Sequence, residues 1–164
     1  MARFACDTLA DRGYEPVVAW YEPYSQSPDL SVPAHAMPGR RSVGARQEIA
    51  FGCYEGHAVG AWLPELEFTH YRATSAWRRL AESCRHHVVV SGNCLAGRVY
   101  VDLSLPFLSW IATPWEADRQ ERVREFPWPR RLLDKLVNAP TIQRWERRIL
   151  NAGTTLALSQ YTQE

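Results

Sequence analysis

The sequence predicts an α/β protein built on a doubly wound, mostly parallel sheet. One observation is alternation. Short apolar runs at 17–21, 87–91, 107–112 and 154–158 are separated by stretches of helical period. Another is the central stretch 86–120, HHVVVSGNCLAGRVYVDLSLPFLSWIATPWEADRQ, which reads as strand, crossover, strand. Parallel strands need a crossover of about a dozen residues, and this stretch supplies one. The third is size: 164 residues, 46% hydrophobic and 23% charged, suit one domain with a sizeable core.

The elements follow in order. Phe4, Ala5, Leu9 and Ala10 give the opening helix an apolar stripe, and Gly13 suits its C-terminal cap. Residues 17–21 read as a buried strand. Residues 22–46 hold Pro23, Pro28, Pro33, Pro38 and Gly39, plus Arg40 and Arg41, so this is expected to be a long mobile loop. Runs at 48–54 and 58–63 flank Glu55-Gly56-His57 and suggest a hairpin or two short strands. Residues 69–84 are helical, with Tyr71, Trp77, Leu80 and Ala81 on one side. Apolar run 87–90 ends at Ser91-Gly92-Asn93, and an apolar helix at 95–105 is stopped by Pro106. Run 107–112 is the next strand. Helical stretches at 116–125, 130–137 and 140–151 lead to a last strand, 154–158, after Gly153.

Net charge is +1, so no global field argues for nucleic acid. No run is long enough to span a bilayer, and the N-terminal residues lack a signal-peptide pattern. Cys6, Cys53, Cys84 and Cys94 are scattered without paired spacing, which favours reduced thiols and a cytoplasmic protein. No G-x-G-x-x-G follows a strand, which disfavours a dinucleotide-dependent oxidoreductase. Ser25, Ser91 and Ser159 lack the context of a hydrolase elbow. His86 and His87, adjacent on a strand, point to opposite faces and are no metal pair.

Four stretches together resemble a known family. They are DRGYEPVVAWYEP, HHVVVSGN, LPFLSWIATPWEADR and RWERRILNAGTTLALSQYT, in that order. The pattern is similar to the N-terminal half of family-4-type glycosyltransferases of the GT-B fold. The matching positions are Arg12-Gly13-Tyr14-Glu15, Pro106-Phe107, Glu146 and Ser159-Gln160-Tyr161-Thr162.

The resemblance implies two Rossmann-like domains around a cleft. The N-terminal one holds the acceptor, and the C-terminal one holds most of the sugar nucleotide. Residues 1–164 would be a partial N-terminal Rossmann-like domain. The family's first strand and Gly-rich loop would precede Met1, and the second GT-B domain would follow Glu164. The implied activity is hexosyl transfer from a nucleotide sugar to a hydroxyl acceptor, glycan or lipid-linked, with no cofactor and no metal. The isolated piece would be inactive. Many relatives carry a His after the strand corresponding to 107–112. Thr113-Pro114-Trp115 stands there instead, so no catalytic residue carries over.

Ligands of a parallel sheet bind outside the carboxyl ends of its strands. The expected acceptor-binding residues are therefore Asn93, Thr113, Trp115, Asp118 and Arg119. Asn93 offers an amide to a hydroxyl; its plainer role is to form a turn. Thr113 and Trp115 stand at the next strand end. Trp115 suits stacking on a sugar face, or packing under the next helix. Asp118 and Arg119 follow where that loop turns helical; Arg119 suits bidentate binding of a phosphate or carboxylate, and a local surface pair explains it as well. Glu67 and His70 are further candidates for the cleft lining. Glu146 reads as a pairing or capping residue.

Residues 119–148 hold eight Arg and one Lys against four acidic residues, interleaved with Trp128, Leu132, Leu133, Leu136 and Trp145. That composition fits peripheral contact with an anionic inner membrane face. The plainer reading, preferred on sequence alone, is a solvated helix face. A competing reading of the whole chain is a non-catalytic Rossmann-like interaction or regulatory module.

Overall fold

The computed structural model describes residues 1–39, 42–111, 123 and 127–157. The chain is α/β and divides into two compact units, Met1–Arg85 and His86–Glu164. Unit 1 holds α1 (Ala2–Ala10), β1 (Val17–Tyr21), β2 (Ala45–Ala50), β3 (Tyr54–Val59) and α2 (Ser75–Ser83). Unit 2 holds β4 (Val88–Ser91), α3 (Arg98–Leu103), β5 (Leu108–Ile111), α4 (Trp128–Leu133), α5 (Ala139–Ala152) and β6 (Thr154–Ala157).

The one doubly wound sheet expected from the sequence is instead two three-stranded sheets, ordered β1-β3-β2 and β4-β5-β6. The expected parallel character is present, since β1–β3, β4–β5 and β5–β6 all pair parallel. The reason for the division is the β2–β3 hairpin. β3 uses one edge on antiparallel β2 and the other on β1, so β1 finds its partner inside unit 1.

The hairpin turn differs from the expected one. It falls at Phe51-Gly52-Cys53, with Phe51 at φ 52° and Gly52 at φ 84°, a left-handed region that favours glycine. Gly56 lies within β3 instead. A Cβ there would come within 3.0 Å of both Ala50 and Trp20. Both segments carry a glycine; one serves a backbone angle and the other a close approach.

α1 ends at Ala10 with Asp11 as its C-cap, and Gly13, the expected cap, lies two residues further on at φ 83°, its N–H donating to Ala10 O at 2.9 Å. Tyr54 ties the helix to the hairpin by donating to Asp7 Oδ1 at 2.7 Å, and that carboxylate pushes the phenol up to about 12. The Pro-rich segment after β1 carries core residues: Leu30, Val32 and Val43 are buried. Val32 bridges Trp62 in parallel fashion, with Val32 N donating to Ala61 O at 2.9 Å. The helix expected at 69–84 is shorter. Thr74 caps it, its Oγ1 accepting from Trp77 N at 3.4 Å, and a 3₁₀ turn Glu67–Thr69 precedes it.

In unit 2 the core is Val89, Cys94, Phe107, Ile111 and Ile149. Phe107 lies against two glycines. A Cβ at Gly153 would meet its ring at 2.6 Å, and one at Gly97 would meet Ile149 at 2.7 Å and the ring at 3.0 Å. The Phe107 carbonyl accepts from Thr154 N at 3.3 Å and so starts the β5–β6 pairing. Tyr100 stacks on the same ring, with centroids 5.5 Å apart.

Unit 1 also holds a pH-dependent contact. His70 stacks on Tyr21 with ring centroids 3.9 Å apart, and its Nε2 meets Pro64 O at 3.0 Å. Burial pulls the imidazole below its usual range and pushes the Tyr21 phenol up to about 12. The unfolded His titrates near ~6.5, so below that pH the unfolded chain binds the extra proton. The stabilisation from neutral His70 is thus complete above about pH 6.5 and is lost as pH falls toward the lower folded value. Thermal melts from neutral to mildly acidic pH should show a falling midpoint, and His70→Phe, which keeps the stack but cannot titrate, should flatten that slope. An equal slope in both proteins would assign the effect elsewhere.

Candidate functional site

The carboxyl end of the unit 1 sheet is covered by its own chain. Glu22, just past β1, is buried; it accepts from Trp20 Nε1 at 2.8 Å and from Ser27 Oγ at 3.3 Å. Leu30–Val32 runs over the end of β3, with Ala61 N donating to Ser31 Oγ at 2.9 Å and Gly60 N donating to Gly44 O at 3.1 Å. Glu22 is thus a structural carboxylate. An open groove on the hairpin, lined by Glu48, Ile49, Gly52, Cys53, Tyr54 and Glu55, lies at the opposite, amino-terminal end of β3.

The carboxyl end of the unit 2 sheet is different. β4 and β5 end level, with Ser91 opposite Ile111, so the chain leaves both strands on one edge of the sheet. Gly92 is exposed, and among the described residues a Cβ placed on it would meet nothing within 4 Å. The loop Ser91-Gly92-Asn93 therefore borders space that no described residue fills. Asn93 is half-buried in extended conformation, at φ −138° and ψ 173°. Its Oδ1 accepts from Leu95 N at 3.0 Å, which caps the 3₁₀ turn Cys94–Gly97 that runs into α3. The turn-forming role is real, and it takes the form of a helix cap.

Four further residues, Arg98, Asp102, Trp145 and Arg148, escaped the sequence reading as a group. Arg98 opens α3 and is buried, with its Nε 3.4 Å from Asp102 Oδ2 one turn on. Its guanidinium lies 4.0 Å from the Trp145 ring centroid, and that of Arg148 lies 4.6 Å from the same ring. The available signal was an Arg inside the apolar run LAGRVYV, four residues before an Asp. This arrangement places the Arg98 and Arg148 guanidinium groups on one aromatic platform.

Cys94 is fully buried and its Sγ donates to Glu146 Oε1 at 3.7 Å. Burial, then the Glu146 charge and its hydrogen bond, push the thiol well above its ordinary value. A thiolate is the nucleophilic form, so Cys94 is inert at neutral pH. Glu146, expected to pair with an Arg of its own helix or to cap, thus accepts from Cys94, which lies outside that helix.

Thr113, Trp115, Asp118 and Arg119 lie outside the described residues, so of the five expected acceptor contacts only Asn93 is described. His70 and Glu67 belong to unit 1, where His70 is committed to Tyr21 and Pro64. Among the described residues no group of three or more His, Cys, Asp or Glu is placed to hold a metal ion. No protein-family model, curated protein or solved structure matches this chain.

The local chemistry of the loop is testable by stability and reactivity. Asn93→Ala removes the cap and should cost about 1 kcal/mol in urea unfolding, whereas Asn93→Asp keeps an acceptor at the cap and should cost much less. A thiol reagent should label exposed Cys53 quickly and leave Cys94 unlabelled until the chain unfolds. Equal losses in the two variants, or rapid Cys94 labelling in the folded protein, would contradict this account of the loop.

Proposed function

We propose that this chain is the acceptor-binding half of a glycosyltransferase that moves a hexose from a nucleotide sugar to a hydroxyl. The observation that carries the reading is the three-stranded parallel sheet of unit 2, whose β4 leads into the loop Ser91-Gly92-Asn93 with Gly92 exposed. The order of the motifs from Arg12-Gly13 through Pro106-Phe107 to Ser159-Gln160-Tyr161-Thr162 supports it, by resemblance to GT-B enzymes.

In this reading the two ends of the Asn93 amide divide the work. Oδ1 is spent on the Leu95 N–H, so Nδ2 is the end that donates to an acceptor hydroxyl. Thr113 and Trp115, two and four residues beyond the end of β5, complete the acceptor side, with Trp115 as a stacking surface. Asp118 and Arg119 extend that side, with Arg119 holding an anionic group of the acceptor. The reaction itself draws on positioning and on stabilisation of the leaving diphosphate. Most of that comes from a second, donor-binding Rossmann-like lobe.

The test reconstitutes the chain with a donor-binding lobe, supplies a panel of nucleotide sugars and hydroxyl acceptors, and reads sugar transfer by mass spectrometry. Ligand-observed NMR reports acceptor binding to the chain in parallel. Asn93→Asp, which retains the cap, should lower acceptor kcat/KM by about tenfold at an unchanged unfolding midpoint. Trp115→Ala should lower it as well. Absence of both transfer and acceptor binding would overturn the reading, and full activity in both variants would remove these residues from the site.

A further inference from the structure

The helical stretch from Trp128 to Ala152 is inside out over its first half. It runs without a break through α4, a π turn Asp134–Asn138 and α5. In a globular helix the apolar face is buried and the polar face is wet. Here the buried residues of the π turn are Asp134 and Asn138, and Asn138 Nδ2 donates to Asp134 Oδ1 at 3.0 Å. The large apolar side chains point out: Trp128 is 74% exposed and Leu136 66%, and Leu132, Leu133 and Val137 are exposed beside them. Single exposed apolar residues are ordinary; five within ten positions of one helix are not.

Charge identifies the occupant. Arg131 and Lys135 are exposed on the same stretch, and residues 128–150 carry six basic side chains against two acidic ones. Indole, leucines and flanking cations on one helix surface match the interface of an anionic bilayer, where the apolar face enters the acyl boundary and the cations meet phosphate headgroups. A second copy of the same surface would bring like charge against like charge. No helix among the described residues is long and apolar enough to cross a membrane, so the contact is one of lying on the surface.

We infer that the outward face of Trp128, Leu132, Leu133, Leu136 and Val137, edged by Arg131 and Lys135, docks on anionic phospholipid bilayers. The inference stands apart from the transferase reading, since it needs no sugar chemistry. The test sediments the full chain with vesicles of phosphatidylcholine alone or with about a third phosphatidylglycerol. Recovery with the anionic vesicles should exceed that with neutral ones by about tenfold or more, and should fall as salt rises. Trp128→Ser with Leu136→Ser should abolish it, and Arg131→Glu with Lys135→Glu should weaken it to the neutral-vesicle level. All four positions are exposed, so thermal melts should be unchanged. Equal recovery on both vesicle types, or no effect of either pair, would overturn the inference. Dimerisation without lipid that is lost in Trp128→Ser with Leu136→Ser would overturn it too, by assigning the face to a second copy.

Discussion

Unit 2 depends on one packing constraint, the seat of the Phe107 ring. The ring lies where Cβ atoms on Gly97 and Gly153 would stand, which lets α3 and the start of β6 close on it from either end. Burial of an aromatic ring is among the largest single contributions available to a small core, and interiors of native density leave it no slack. From this seat the rest follows locally. The Phe107 carbonyl receives Thr154 N and begins β6, Tyr100 stacks on the ring, and Ile149 of α5 closes the remaining side. With β5 held in this way, β4 pairs beside it and ends level with it at Ser91.

The loop after β4 then takes its shape from hydrogen bonds whose donors and acceptors are few. Asn93 spends one amide oxygen on starting a helix, which leaves Cys94 under the loop against Glu146 and Arg98 against Trp145. The same residues serve stability and define what faces outward: an exposed Gly92 and a capping amide with a donating end. Unit 1 solves the same geometric problem differently. Its Pro-rich segment folds over the carboxyl ends of β1 and β3, so the buried Glu22 is enclosed by its own chain.

Much of unit 2 was legible in the sequence. The strands at 87–91, 107–112 and 154–158 lie within a residue of the observed ones because β-branched runs there are bounded by Ser91-Gly92-Asn93, Pro106 and Gly153. Pairing was less legible. Nothing local in 17–21 says that its neighbour is β3, since the choice is made by a hairpin whose turn the sequence places at the wrong glycine. Gly52 and Gly56 look alike in one dimension, and only the approach of Trp20 and Ala50 separates them. In the site, Asn93 was legible as a strand-end amide, while its capping bond depends on a backbone angle that composition does not report. Arg98 went unnoticed because an Arg in an apolar run acquires meaning only when Trp145 is brought beneath it from far along the chain. On α4 the sequence leaves a solvated face and a membrane-facing one both open, because helical period alone cannot say which face turns inward.

The seat of Phe107 is tested most directly by a double-mutant cycle on Gly153→Ala and Phe107→Leu, followed by urea unfolding. Gly153→Ala alone should cost about 1–3 kcal/mol, because its methyl group and the ring cannot share the space. With the smaller Leu at position 107 the same substitution should cost clearly less, giving a coupling of about 1 kcal/mol or more. Costs that simply add would contradict the account, since the ring and the glycine would then not be in contact.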